Sequence, residues 1–150
     1  MDERFCAMSL GVRGVATALI AIGLVSCGAD PSDSGSGTSN SVNGVVTEWS
    51  VSVDADSALA GEVTFTVVNE GSIGHEFLVV KTDIEVGKIP LVGERFPEPA
   101  EDLEVVDEIG EFPQGTTESL TVMLEPGKYQ LVCNLPGHYA AGMHVGFEVL

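Results

Sequence analysis

One loop near the C-terminal end constrains this chain more than any other feature. It reads Tyr129-Gln130-Leu131-Val132-Cys133-Asn134-Leu135-Pro136-Gly137-His138-Tyr139-Ala140-Ala141-Gly142-Met143, with four residues in each gap between thiol, imidazole and thioether. Another histidine, His75, stands far upstream in Ile73-Gly74-His75-Glu76-Phe77. A fold that brings His75 to the loop assembles two imidazole nitrogens, one thiolate and one weak thioether. Thiolate and thioether suit Cu(I), imidazole suits either oxidation state, and a constrained loop keeps the geometry similar in both. The residues therefore read as one mononuclear copper site with His75, Cys133, His138 and Met143 as metal ligands.

Each ligand has a plainer alternative. Most free cysteines are small buried hydrophobes, and Cys133 read alone would be one. A lone loop histidine is usually just solvated. However, His138 follows Pro136-Gly137, which stiffen and turn the loop, and no acid, lysine or arginine lies between Leu135 and Gly142. That stretch, with Leu135, Pro136, Tyr139, Ala140 and Ala141, reads as an uncharged docking patch around the outer edge of His138. Met143 is assigned by spacing alone, since most methionines fill cores. The adjacent His144 competes for the axial position. If Met143 points inward on an extended segment, His144 points out and is a surface histidine. His75 could be a buried, hydrogen-bonded core residue. Gly74 beside it would let its backbone carbonyl approach a metal as a weak axial contact.

The cysteines fit this picture. Cys6 and Cys27 belong to the N-terminal region, so a processed domain keeps only Cys133 and forms no internal disulfide. Gly14 to Val25 is a short apolar run preceded by Arg4 and Arg13, too short to cross a membrane and read as a signal peptide over residues 1–26. Asp2 and Glu3 fit a leader poorly, and a start at Met8 would give a cleaner basic segment. The run ends in Leu24-Val25-Ser26-Cys27, which resembles a bacterial lipoprotein cleavage box. That resemblance implies lipidation of Cys27 and anchoring to a membrane outside the cytoplasm. Ordinary signal-peptidase cleavage is the alternative. Residues 27–43 are rich in Gly, Ser and Asp and read as a flexible tether.

Formal net charge is -17. Residues 1–26 hold Asp2 and Glu3 against Arg4 and Arg13, so the remainder carries 21 acids against 4 bases. Nucleic acid is excluded as a partner on this balance. A basic, cytochrome-like redox partner could be steered by it, and solubility alone explains it equally well.

Residues 44–150 read as one domain of short β-runs separated by turns. In the first, Val45, Thr47, Trp49, Val51 and Val53 share one face of a single strand. Glu62–Val68, Phe77–Val80, Leu120–Leu124, Tyr129–Cys133 and Val145–Leu150 follow. Between 81 and 113 the prolines and glycines argue against long regular elements, though Leu103–Ile109 is read as a strand on its valine pair. The pattern is all-β, a sandwich or barrel.

From Gly44 to Leu150 the chain resembles the cupredoxins, the plastocyanin and azurin family. The four-and-four loop spacing is similar to that of the rusticyanins and auracyanins. The resemblance implies a Greek-key β-sandwich and a single type 1 copper on His75, Cys133, His138 and Met143, with Gly74 similar to the azurin glycine whose carbonyl faces copper. One position departs from the family. Many members carry Asn or Ser after the first histidine, whose hydrogen bonds hold the cysteine loop. Here it is Glu76, which cannot donate as an amide does. Asn134 is the alternative donor.

The expected function is that of an exported, monomeric blue copper electron carrier. An enzyme is not expected, because four protein ligands leave no open position. Two other classes stay in play. A copper-delivery protein would use exposed, exchangeable ligands, and a metal-free β-sandwich interaction module would bind no copper on reconstitution.

Overall fold

The computed structural model describes residues 40–150. The expected signal peptide, Cys27 and most of the tether lie outside the described residues. Nine strands run in chain order: β1 Ser41–Thr47, β2 Ser50–Val53, β3 Ser57–Ala58, β4 Gly61–Asn69, β5 His75–Thr82, β6 Leu103–Phe112, β7 Thr117–Leu124, β8 Gly127–Val132 and β9 His144–Val149. A single helical turn, α1 His138–Ala141, lies between β8 and β9. One sheet has the order β2-β1-β4-β7 and the other β3-β9-β8-β5-β6. β1 runs parallel to β4 and β3 parallel to β9, while the remaining pairs are antiparallel. The chain crosses between sheets at β2–β3, β3–β4, β4–β5, β6–β7 and β7–β8, so this is the expected all-β Greek-key β-sandwich.

Alternation places the core. Val63, Phe65 and Val67 of β4, with Val42 and Val46 of β1, face Phe77 and Val79 of β5 and Leu131 of β8, all fully buried. Phe65 joins the layers, its ring 5.5 Å from Phe77 and 5.4 Å from Phe147. Burial of each such side chain contributes about 1.5–3 kcal/mol. β5 is apolar on both faces. Its other side, Leu78 and Val80, packs with Ile89, Phe96, Val132 and Tyr139 in a second cluster under the loop that follows β5. A strand covered on both faces has no polar side, which is why Phe77–Val80 reads as a continuous apolar run.

Three expectations are corrected. The run from Val45 to Val53 is two strands, with Thr47 facing Ser50 across a turn at Glu48-Trp49. The turn switches the buried parity from Val42 and Val46 to Val51, and it leaves Trp49 half exposed. Ser41 to Asn43, expected in the tether, begin β1. Residues 81–113 do hold a long regular element, since β6 spans ten residues and contains the expected Leu103–Ile109 strand. Its neighbour β5 pairs with it from end to end, with two irregularities in register, and that partner is invisible in the local sequence.

Candidate metal centre

His75 opens β5 and is fully buried. The preceding turn is held by Asn69, whose amide donates to the carbonyls of Ile73 (2.9 Å) and Phe112 (3.0 Å) and accepts from the Gly71 N–H (2.9 Å). Cys133 directly follows Val132, the last residue of β8, so the strand ends one residue earlier than the expected Tyr129–Cys133. Its N–H donates to the Met143 carbonyl (3.0 Å), which continues the β8–β9 ladder and closes the ligand loop at its base. Inside the loop, Gly137 (φ 80°) and Gly142 (φ 118°) bracket α1 in the left-handed region, where side-chain-bearing residues are strained. Together with the Met143 N–H to His138 carbonyl bond (3.1 Å), they fold His138 back over the thiol.

Three ligand atoms converge. His138 Nδ1 is 3.3 Å from Cys133 Sγ and 3.3 Å from His75 Nδ1. All three lie within 4.8 Å of one another. A neutral imidazole nitrogen carries one proton or one lone pair, so His138 Nδ1 cannot bond well to both neighbours. One cation can satisfy all three. Metal bonds of about 2.0 Å to nitrogen and 2.3 Å to sulfur in a trigonal plane give edges of roughly 3.5 Å, close to those observed. Met143 is fully buried close to this group and packs in the same core cluster as Cys133. The four residues named from sequence are thus gathered at one end of the sandwich, and they fit a soft metal.

Burial sets their electrostatics. It pushes the Cys133 thiol up to about 11, so the thiol holds its proton unless a cation displaces it. Burial, and then neighbouring His75, lower the pKa of His138 and keep it a neutral ligand.

Around the ligands, two expectations change. Glu76 does hold the cysteine loop, with reversed polarity. Its carboxylate accepts from the Asn134 N–H (2.7 Å), and its own N–H points at Cys133 Sγ (3.5 Å). Burial, the largest influence, raises its carboxyl pKa. The Asn134 side chain bonds the 83–100 loop instead. It accepts from the Phe96 N–H (3.0 Å), and it donates to the Phe96 carbonyl and to Glu98. With the Gly137 N–H to Glu94 carbonyl bond (2.9 Å), it straps the 83–100 loop to the ligand loop.

His144 does leave the site, but it is not a free surface residue. Its ring lies 5.0 Å from Tyr139, its Nδ1 is buried without a partner, and it packs over Gly87, where a Cβ would meet it at 2.7 Å. Tyr139 also differs from expectation. It is buried rather than part of a surface patch, with its hydroxyl bonded to Gln130 (3.1 Å). Gly74 sits beneath the exposed side chain of Glu111, which a Cβ there would have to push aside.

Two residues were missed from sequence, both on the β1–β2 turn. Trp49 packs edge-on against His138, with centroids 5.3 Å apart. Glu48 reaches His75. An uninterrupted alternation of side chains runs through both positions, so the sequence gives no sign of a turn there.

No protein-family model and no curated protein matches the sequence. Solved structures do resemble the fold. Dithionite-reduced auracyanin from Roseiflexus castenholzii is 22% identical with a TM-score of 0.57, covering 76% of this chain and 99% of that one. An azurin from Methylomonas sp. strain J is 17% identical at 0.55, covering 73% and 97%. Rusticyanin from Thiobacillus ferrooxidans is 20% identical at 0.53, covering 75% and 79%. The chain has the cupredoxin fold. Within that class, the neighbours include auracyanins and rusticyanins.

Proposed function

We propose that this domain carries single electrons through one copper ion held by His75, Cys133, His138 and Met143. The observation behind the reading is the convergence of two Nδ1 atoms and one Sγ, with His138 Nδ1 3.3 Å from each of the other two, beside a buried thioether. Copper, when bound, supplies a one-electron Cu(II)/Cu(I) couple.

The protein's part is to hold the donors still. Gly137, Gly142 and the Cys133–Met143 backbone bond fix the loop, and Asn69 fixes the approach to His75. The Gly74 carbonyl would add a further weak contact in this reading. His75, Cys133 and Met143 are fully buried, and His138 keeps only 8% of its surface. A closed set of four ligands leaves no place for substrate, which favours a carrier over an enzyme. Burial also disfavours a delivery role, which needs exchangeable donors.

His138 is the ligand nearest solvent, so a partner docks over it. The surface there is uncharged, with Trp49, Pro136, Ala140 and Ala141 exposed. A basic redox protein, attracted by the acidic remainder, is the partner proposed. Export and a lipid anchor on Cys27 place the domain at the outer side of a bacterial membrane in this reading.

The test is a visible spectrum of the copper-loaded domain. An intense thiolate-to-Cu(II) band that vanishes in Cys133→Ser is expected. A band that survives this substitution would show that another residue provides the sulfur or that the site is elsewhere.

A further inference from the structure

The Nε2 atom of His75 is buried and has no hydrogen-bond partner. It is 3.6 Å from Oε1 of Glu48, which arrives from the distant β1–β2 turn. That oxygen is held in place. It accepts from the Ser72 N–H (2.6 Å), the Ser72 hydroxyl (3.2 Å) and the Ile73 N–H (3.0 Å). The space is shaped for this meeting. A Cβ on Gly71 would sit 2.7 Å from His75 Nε2 and 2.8 Å from Glu48 Oε1, so only glycine leaves the two groups facing each other.

We propose that Glu48 is the positioning residue for His75: its carboxylate fixes the tautomer with the proton on Nε2, turning the Nδ1 lone pair toward Cys133 and His138. The inference rests on the copper reading above for its redox consequence and on the geometry alone for the tautomer. A histidine that ligates through one nitrogen needs an acceptor at the other, and that acceptor sets tautomer, ring orientation and ligand basicity. Among the described residues, Glu48 is the carboxylate within ion-pair reach of Nε2. Its hydrogen bonds to the 72–73 backbone make the same residue a brace for the turn that leads into β5. A fixed negative charge beside a ligand also favours the more highly charged, oxidised metal.

Two substitutions separate brace from charge. Glu48→Gln keeps an acceptor for Ser72 and Ile73 and removes the charge, whereas Glu48→Ala removes both. In the copper-loaded protein, Glu48→Gln should raise the reduction potential. Loss of an outer partner commonly weakens metal binding 10–100-fold. A tenfold loss confined to Cu(II) corresponds to about 59 mV for one electron. In the metal-free protein, imidazole 15N spectra should show His75 protonated at Nε2, and Glu48→Ala should shift it toward a mixture of tautomers. If Glu48→Ala does not fold, the reduction potential of Glu48→Gln decides. An unchanged potential in folded Glu48→Gln, or a His75 tautomer indifferent to both substitutions, would overturn the proposal. A wild-type domain that takes up no copper refutes the carrier reading instead, and the 15N result still decides the role of Glu48.

Discussion

Replacing Asn69 by alanine tests whether the turn before His75 is held by one side chain. Asn69 is fully buried at the end of β4, and its amide bonds three backbone groups. The three are not equivalent. Ile73 is 43% exposed, so water can reach its carbonyl after the change. Gly71 and Phe112 are buried, and their N–H and C=O would be left unpaired. Each unpaired buried group costs about 1–3 kcal/mol, so a loss of about 3 kcal/mol is expected. Urea unfolding of the metal-free domain measures it. With a slope of about 2 kcal/mol/M for a domain of this size, the midpoint should fall by roughly 1.5 M at unchanged slope. Thr66→Ala is the control. It removes an exposed hydroxyl contact with Ser119 (3.3 Å) and should stay within about 0.5 kcal/mol. A loss below about 1 kcal/mol for Asn69→Ala would mean that the turn is held by the Glu48 contacts instead.

Burial raises the Cys133 thiol to about 11, above its ordinary 9.0, so the folded state disfavours ionisation. The stabilisation is fully present below pH 9 and is lost as pH rises toward 11, so the metal-free domain should lose about 2 kcal/mol across that window relative to Cys133→Ser. Copper uptake at pH 7 should release the thiol proton, measurable in weakly buffered solution, and no release would contradict thiolate ligation. Electron transfer with a basic cytochrome should slow as ionic strength rises, whereas a flat rate would assign docking to the uncharged surface around His138. Mass spectrometry of the mature N-terminus should find lipid on Cys27, and an unmodified terminus beyond it would remove the anchor from the proposal.

The candidate ligands could be picked out because three of them are local. Cys133, His138 and Met143 share one loop, and four-residue gaps allow little besides a closed hairpin connection. His75 was legible through its pairing with Gly74 at the start of an apolar run. The turn at Glu48-Trp49 was not. Valine, threonine and serine alternate through it as they would in one long strand, and only the pairing of Thr47 with Ser50 reveals the fold-back. The residues that surround the ligands were hidden for the same reason. Glu48 meets His75, and Asn134 meets Phe96, only after distant strands have docked. β6 was partly legible from Val105 and Val106. Its full length depends on pairing with β5, which no local pattern records.

The adjacent pair Met143 and His144 gives the sharpest test of the axial ligand. Both stand where the loop rejoins β9, and sequence alone lets either reach a metal. The structure separates them by strand parity. Met143 enters the core cluster with Cys133, while His144 faces the 83–100 loop and packs on Tyr139 and Gly87. Bringing His144 to the cluster would mean slipping β9 by one residue, which would expose Phe147 and Val149. Exposing those two side chains would cost about 3–6 kcal/mol. A thioether favours Cu(I), and an amide oxygen favours Cu(II), so Met143→Gln should lower the reduction potential with the visible band retained. His144→Ala should leave spectrum and potential unchanged and destabilise the domain by about 1–2 kcal/mol through lost packing under the loop. Bleaching in His144→Ala, with little effect from Met143→Gln, would place three imidazoles on the metal and overturn the assignment of Met143.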